Sequence, residues 1–165
     1  MVFDDNQPTR RIIAFVTTEN LRNLANADIF FCDGTFYTCP NLFYQIYSIH
    51  IPIDDVMTPV IHAFLPGNSQ ATYTRFFTLI KDKIADLGLV FSPTSTMEDF
   101  ETAVHNSIRE VFPDINTNRC FSPLHPEYME KITGNRTLNT IPRQRRRQDF
   151  GSTSGNSTAY TSCIS

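Results

Sequence analysis

The chain has 165 residues, of which 41% are hydrophobic and 12% aromatic, enough for one globular domain with a substantial core. A net charge of −3 excludes general attraction to nucleic-acid phosphates over the whole surface, although a local basic patch remains compatible with it. Since the sequence has no leader-like N-terminus, no apolar run of the ~18 residues that span a membrane and no C-x-x-C pair, we expect a nuclear or cytoplasmic protein without a membrane partner.

The first predicted elements form an N-terminal segment, residues 1–27, that leads into the main domain. The apolar run "IIAFV" at residues 12–16 predicts a short strand. The following "TTENLRNLANA" predicts a short helix, with Thr17 or Thr18 as its N-cap. The sequence therefore predicts one strand followed by one helix in this segment.

Three successive runs rich in Phe, Tyr, Ile and Val predict β-strands: "ADIFFCDGTFYT", "NLFYQIYSIHI" and "MTPVIHAFLP". Only a few residues separate one run from the next. Because parallel strands need long crossover connections, we expect these three strands to be antiparallel.

The next segment changes to helical periodicity. Asn68 or Ser69 is the expected N-cap of a long helix, and Gly88 is its expected end. One apolar stripe marks its buried face: Tyr73, Phe76, Phe77, Ile80, Ile84 and Leu87. A strand at "TSTMED", a second helix with Val104 and Ile108 on its apolar face, and a final strand at "NTNRCF" follow. The sequence predicts an α/β domain.

Two aspartates occupy positions that need an explanation. Asp33 interrupts the apolar run "FFCDGTFYTCP", and Asp99 ends the strand "TSTMED". Carboxylates at strand ends can converge on one cleft, where a cation such as Mg²⁺ would offset their repulsion. Alternatively, Asp33 and Gly34 form a tight turn and Asp99 caps the second helix, with Glu101 in its first turn. The residues alone leave both interpretations open.

The sequence favours a structural role for three histidines. His50 and His62 lie in predicted strands and His105 in the second helix, and none has a partner at metal-ligand spacing. We expect each to be a packing or surface residue.

Five segments in order carry a resemblance to a known family: "FFCDGTFYTCPNLFYQIYSIH", "PVIHAFLP", "TYTRFFTLIK", "MEDFETAVHNSIREVFP" and "NRCF". They cover about residues 28–121. On these segments the chain resembles the MULE transposase domain, the catalytic domain of Mutator-like DNA transposons. The resemblance implies a partial ribonuclease H-like fold, a mixed sheet with three antiparallel strands followed by helix, strand, helix and strand.

The resemblance also implies a catalytic site. By its D-G-T-F segment Asp33 is the first acid of a DDE triad, and by its T-D-F-E segment Asp99 is the second, with Glu98 in place of the family's Thr. In the intact family such acids bind two divalent ions that drive phosphoryl transfer on DNA transposon ends. We expect Asp33 and Asp99 to bind Mg²⁺ or Mn²⁺ weakly. Glu98 should point away from Asp99 if its strand alternates normally.

The third acid of the triad has no counterpart in this sequence. In the family it lies on a helix well beyond the C-F segment, whereas Glu127 and Glu130, the acids shortly after Phe121, have no matching context. We therefore expect a fragment derived from a Mutator-like transposase that does not catalyse strand cleavage. The alternative is a domesticated protein- or DNA-interaction module without catalysis. The oligomeric state is left open.

Residues 122–165 show no periodicity, and the basic "RQRRRQ" precedes a Gly/Ser/Thr-rich end, so we expect a disordered tail. We also expect it to be translated out of frame. Shifted to the second base of each codon, "PEYMEKIT" permits "QSIWRKLQ", which resembles the family after C-F, and the Trp at the Met129–Glu130 junction is forced. A genomic sequence whose second frame lacks a transposase-like continuation beyond Phe121 would refute this hypothesis.

Overall fold

The computed structural model describes residues 2–7, 10–36, 38–54, 56–98 and 101–119. Within these residues an α/β fold combines one mixed sheet with three helices. The predicted tail at 122–165, and with it the frameshift hypothesis, lies outside the described residues. The strands are β1 Val2–Asp4, β2 Ile13–Phe15, β3 Ile29–Thr35, β4 Gln45–Ile53, β5 Val56–Leu65, β6 Ser95–Glu98 and β7 Asn116–Arg119, and the helices are α1 Thr18–Ala25, α2 Gln70–Ala85 and α3 Thr102–Val111.

The sheet has the strand order β1-β2-β5-β4-β3-β6-β7. Pairing is antiparallel from β1 through to β3, as the short connections between β3, β4 and β5 predict. The pairs β3–β6 and β6–β7 are parallel, with helices α2 and α3 in the connections. Strand β1 was not predicted from the sequence; it adds to the sheet beside β2, and Arg11 pairs with Asp4 at its end.

Local capping signals set the starts of two helices. The Thr17 side chain accepts a hydrogen bond from Asn20 N and caps α1, and the Ser69 side chain does the same for Thr72 N at the start of α2. Helix α2 ends at Ala85, and Gly88 follows with φ of 73°, a backbone conformation that glycine adopts without strain. Of the two predicted N-caps, Ser69 is confirmed, and α2 ends three residues before the predicted Gly88.

The core lies between the three helices and one face of the sheet, which we call the helix-packed face. Buried side chains of all three helices form one cluster with the strand residues Phe30, Cys32, Tyr47 and Ile49. The predicted stripe of α2 is buried from Tyr73 to Ile84, and Leu87 packs against the same cluster. Phe31 and Met97 form a separate small cluster on the opposite face. None of the described helices is long and apolar enough to cross a membrane.

Candidate active site at the carboxyl edge of the sheet

Asp33 and Gly34 lie inside β3 and do not form a turn. Asp33 pairs with Ser48 and Gly34 with Tyr47 across the antiparallel neighbour β4, and the backbone of Gly34 has no positive φ. The interpretation of Asp33-Gly34 as a tight turn is therefore wrong. A carboxylate near the C-terminal end of a central strand lies toward the end of the sheet at which that strand terminates, which we call the carboxyl edge.

Strands β3 and β6 are parallel neighbours, and their register bears directly on the second aspartate. Phe31 pairs with Met97, and Asp33 and Asp99 each follow two residues later in the sequence. Asp99 itself lies outside the described residues. The alternative role proposed for it, the cap of the second helix, is wrong, because the N-cap of α3 is Glu101.

Asp33 belongs to the face of the sheet opposite the helices, where it is half-buried. The Ser48 hydroxyl donates to the Asp33 carbonyl oxygen over 3.3 Å, and His50 Nε2 lies 2.9 Å from the same hydroxyl. With the serine proton directed at the carbonyl, the His50 ring donates from Nε2. His62 pairs with Ser48 from β5 and is exposed. A serine and two histidines therefore lie beside the carboxyl end of β3.

The environment of His50 favours its neutral form. Burial, and secondarily the charge of His62, lower the pKa of His50 from its ordinary value of 6.5. Below pH 6.5 the unfolded chain therefore takes up a proton more readily than the folded chain, and the free energy of unfolding should fall as the pH drops. Denaturant titrations of the native chain and of His50→Gln between pH 7.5 and 5 would measure this, in the range ~5–8 where histidine titrates.

Between pH 7.5 and 5 the free energy of unfolding of His50→Gln should fall less steeply than that of the native chain. His62→Gln serves as the matched control, since it removes the neighbouring charge and leaves the half-buried His50 ring in place, and its slope should lie between the other two. Equal slopes for native chain and His50→Gln would contradict the assignment.

Gly34 allows close approach of a buried polar side chain. An ideal Cβ at this position would lie 2.7 Å from Gln45 Oε1, so that any other residue would displace the amide. Gln45 Nε2 donates to Tyr73 Oη over 2.7 Å and to Gly67 O over 3.2 Å. Tyr73 Oη in turn donates to Glu101 Oε2 over 2.7 Å. These hydrogen bonds connect β4, α2 and the start of α3 behind β3.

Glu98 occupies the helix-packed face and is fully buried. Its Oε1 lies 2.7 Å from His105 Nδ1, and the His105 side chain is 17% exposed. Alternation along β6 thus directs Glu98 away from the face that carries Met97. That Glu98 points away from Asp99 stays a prediction, because Asp99 lies outside the described residues. The partner of Glu98 was not predicted, because the interpretation of His105 as a packing or surface residue rested on spacing alone.

The described residues hold no group of three or more His, Cys, Asp or Glu side chains that could bind a metal ion. Of the two predicted metal ligands, Asp33 is the one that the structure describes. Its hard, half-buried carboxylate is of the donor type that Mg²⁺ and Mn²⁺ prefer, and a second carboxylate would be needed from residues beyond β6. The chemistry of Asp33 therefore fits a divalent cation, while the described region alone does not complete a site.

These features define the class of protein: it is an α/β domain in which parallel strands of a mixed sheet direct a carboxylate to the carboxyl edge. Residues 29–125 match the family model of the MULE transposase domain, which is more than half of the chain, and the chain belongs to this family. No curated protein and no solved structure matches it. Family membership makes the chain transposase-derived, and DNA is the partner of the intact family.

Proposed function

We propose that this chain is a Mutator-like transposase derivative with a ribonuclease H-like fold, in which Asp33 and Asp99 are the first two acids of a DDE site. On this proposal it binds one Mg²⁺ or Mn²⁺ weakly and neither cuts nor joins DNA strands. The family match over residues 29–125 supports the class. The observation that most directly supports this site is the parallel register of β3 and β6.

That register supports the pairing of the two aspartates in a simple way. Cα partners in adjacent strands are about 5 Å apart. Because Phe31 and Met97 are partners, continuation of the pairing by two residues would make partners of Asp33 and Asp99 and direct both to the same face. Two carboxylates at that separation can share a divalent ion, which offsets their mutual repulsion.

The proposed lack of catalysis follows from the number of acids. Two-metal phosphoryl transfer needs ions ~3.5–4 Å apart that bind both the attacking and the leaving oxygen. Two carboxylates leave a single ion mostly hydrated, and the sequence offers no counterpart of the third acid. When bound, the ion would neutralise charge at this edge; Asp33 and Asp99 would hold it from neighbouring strands.

Calorimetric titration of the chain with MnCl₂ tests the metal half of this proposal. Native chain should bind about one Mn²⁺ with a dissociation constant in the millimolar range, near −4 kcal/mol. Asp33→Asn and Asp99→Asn should each remove measurable binding, because each variant keeps the size of the side chain and removes its charge. Asp28→Asn is the matched control, since Asp28 lies just before β3 at the other end of the strand.

A nicking assay with supercoiled DNA and Mn²⁺ tests the catalytic half. We expect no cleavage above that of Asp33→Asn. Robust cleavage that disappears in Asp33→Asn would overturn the proposed inactivity. Native binding of Mn²⁺ that survives both substitutions would overturn the site, and would favour an interaction module that lacks the transposase chemistry.

A further inference from the structure

Two histidines lie near each other on strands β4 and β5, on the face of the sheet opposite the helices. His62 is the direct pairing partner of Ser48, and the Cβ atoms of such antiparallel partners are about 4.5–5.5 Å apart. His50 follows Ser48 by two residues, so that strand alternation directs both to the same face. Because His50 Nε2 lies 2.9 Å from the Ser48 hydroxyl, the His50 ring leans toward the Ser48–His62 pair. Strand pairing thus brings together two imidazoles that their spacing in the sequence does not connect.

A β-bulge lies between the positions of the two histidines. The register of β4 and β5 shifts directly before His50, which pairs with Pro59, and Val60 is therefore the extra residue on β5. A bulge bends its strand, increases the local twist and redirects side chains, and bulges are common next to functional sites. The pairing of β4 with β5 is thus irregular at the histidine pair itself.

The surroundings of His50 favour neutral imidazole, the form that binds metal ions. Burial, and secondarily the charge of His62, lower the pKa of His50, and the second cause requires the two rings to be near each other. With the Ser48 proton directed at the Asp33 carbonyl oxygen, His50 carries its own proton on Nε2. The lone pair is therefore on Nδ1. A hydrogen bond to one ring nitrogen commonly orients a metal-binding histidine in this way.

We propose that His50 and His62 form a binding site for a divalent transition-metal ion such as Zn²⁺, with His50 Nδ1 and one ring nitrogen of His62 as its two protein ligands. Ser48 is a positioning residue that holds the His50 ring in the ligating tautomer. Because His62 is exposed, the ion enters from solvent, and water occupies the remaining positions of its tetrahedral shell. The bound ion connects β4 to β5 across the bulge.

This site goes beyond the proposed function and does not depend on it. Imidazole nitrogens suit Zn²⁺, Cu²⁺ and Ni²⁺, whereas carboxylates suit Mg²⁺ and Mn²⁺. The two proposed sites therefore select different ions, although Asp33 and His62 both pair with Ser48, from opposite sides.

Calorimetry of the full chain with ZnCl₂ at neutral pH tests the site. Cysteine thiols are first alkylated with iodoacetamide, because thiolates bind the same ions. The native chain should bind one Zn²⁺. His50→Gln and His62→Gln should each weaken binding by about 100-fold, since loss of a ligand costs at least as much as loss of an outer-shell partner, and Ser48→Ala should weaken it by about tenfold.

His105→Gln is the matched control for the histidine substitutions. His105 contacts Glu98, which occupies the helix-packed face, so it lies away from the histidine pair, and the glutamine amide keeps a donor for Glu98. This variant should bind Zn²⁺ with native affinity. Asp33→Asn should change zinc affinity far less than either substitution of the pair.

Two further measurements report on geometry and on folding. In ¹⁵N NMR spectra of histidine-labelled chain, Zn²⁺ should shift Nδ1 of His50 and leave the proton on Nε2, and in Ser48→Ala part of the ion should move to Nε2. Ligation through Nε2 in the native chain would overturn the role of Ser48. Zn²⁺ at 100 times its dissociation constant should also raise the folding equilibrium constant about 100-fold, and should do so only where both histidines are present.

The outcomes separate this site from the proposed function. Zinc binding that survives both His50→Gln and His62→Gln overturns the site, and so does a loss in Asp33→Asn as large as that in His62→Gln. Zinc binding without Mn²⁺ binding supports the site and overturns the proposed function, whereas Mn²⁺ binding alone does the reverse. Because His62 is exposed, His62→Gln should fold even if His50→Gln does not, and native zinc affinity in that single variant is enough to overturn the site.

Discussion

Replacement of Phe77 by alanine should destabilise the fold by about 3–5 kcal/mol. Phe77 is fully buried at the centre of an aromatic cluster, with ring centroids 6.2 Å from Phe30, 5.4 Å from Phe76 and 6.4 Å from Phe112. Its removal loses the transfer free energy of the ring and leaves a cavity lined by aromatic rings, which have fixed shapes and collapse poorly. Urea denaturation followed by circular dichroism would measure the change.

Phe36→Ala is the matched control, because the same substitution is made at a position that is 43% exposed. Its cost should be about 1 kcal/mol or less, since part of the ring already contacts water. If the two variants lose similar amounts of stability, Phe77 is not at the centre of the core as described.

His105→Ala should cost about 3 kcal/mol or more of unfolding free energy at pH 7. The substitution removes the imidazole from the fully buried carboxylate of Glu98, and burial of a carboxylate that has lost such a partner carries a large desolvation penalty. Denaturant titration of the variant measures this directly. The loss should be much smaller in the double variant Glu98→Met with His105→Leu, which removes the polar pair and keeps a similar side-chain volume.

An exposed ion pair provides the comparison for this prediction. Lys83 and Asp86 lie 2.9 Å apart with side chains 37% and 65% exposed. Lys83→Ala should change stability by about 0.5 kcal/mol at most, because solvent screens the pair. A His105→Ala cost in that same small range would show that burial of Glu98 does not depend on the histidine.

Much of the fold was predictable because its signals are local. The apolar stripe of α2, the caps Thr17 and Ser69, and the three β-runs each follow from a few neighbouring residues. Strand β1 was missed, since three residues are too few to show an alternating pattern and it depends on its pairing with β2. Strand pairing is a tertiary property of the sheet.

The site was predictable in part. The alternation expected along β6 indicates which face of the sheet a side chain occupies but not how deeply it is buried, so the burial of Glu98 against His105 was not predicted. Asp33-Gly34 carries a strong turn signal, and the central pairing of β3 with β4 overrides it. Tyr73 was predicted as one member of an apolar stripe, whereas its hydroxyl joins Gln45 to Glu101. Tertiary contacts between different strands and helices decided all three.

The parallel pairing of β3 with β6 also dictates an order of events during synthesis. Thr96 bonds to Phe30 across 66 residues of chain, whereas β3, β4 and β5 are joined by short loops. Nearby strands pair first, because closing a long loop costs more entropy. In a nascent chain on the ribosome, β3 is therefore an unpaired edge strand of an incomplete sheet until β6 emerges. During that interval its apolar edge can pair with other nascent chains, so chaperone binding should raise the yield of folded protein.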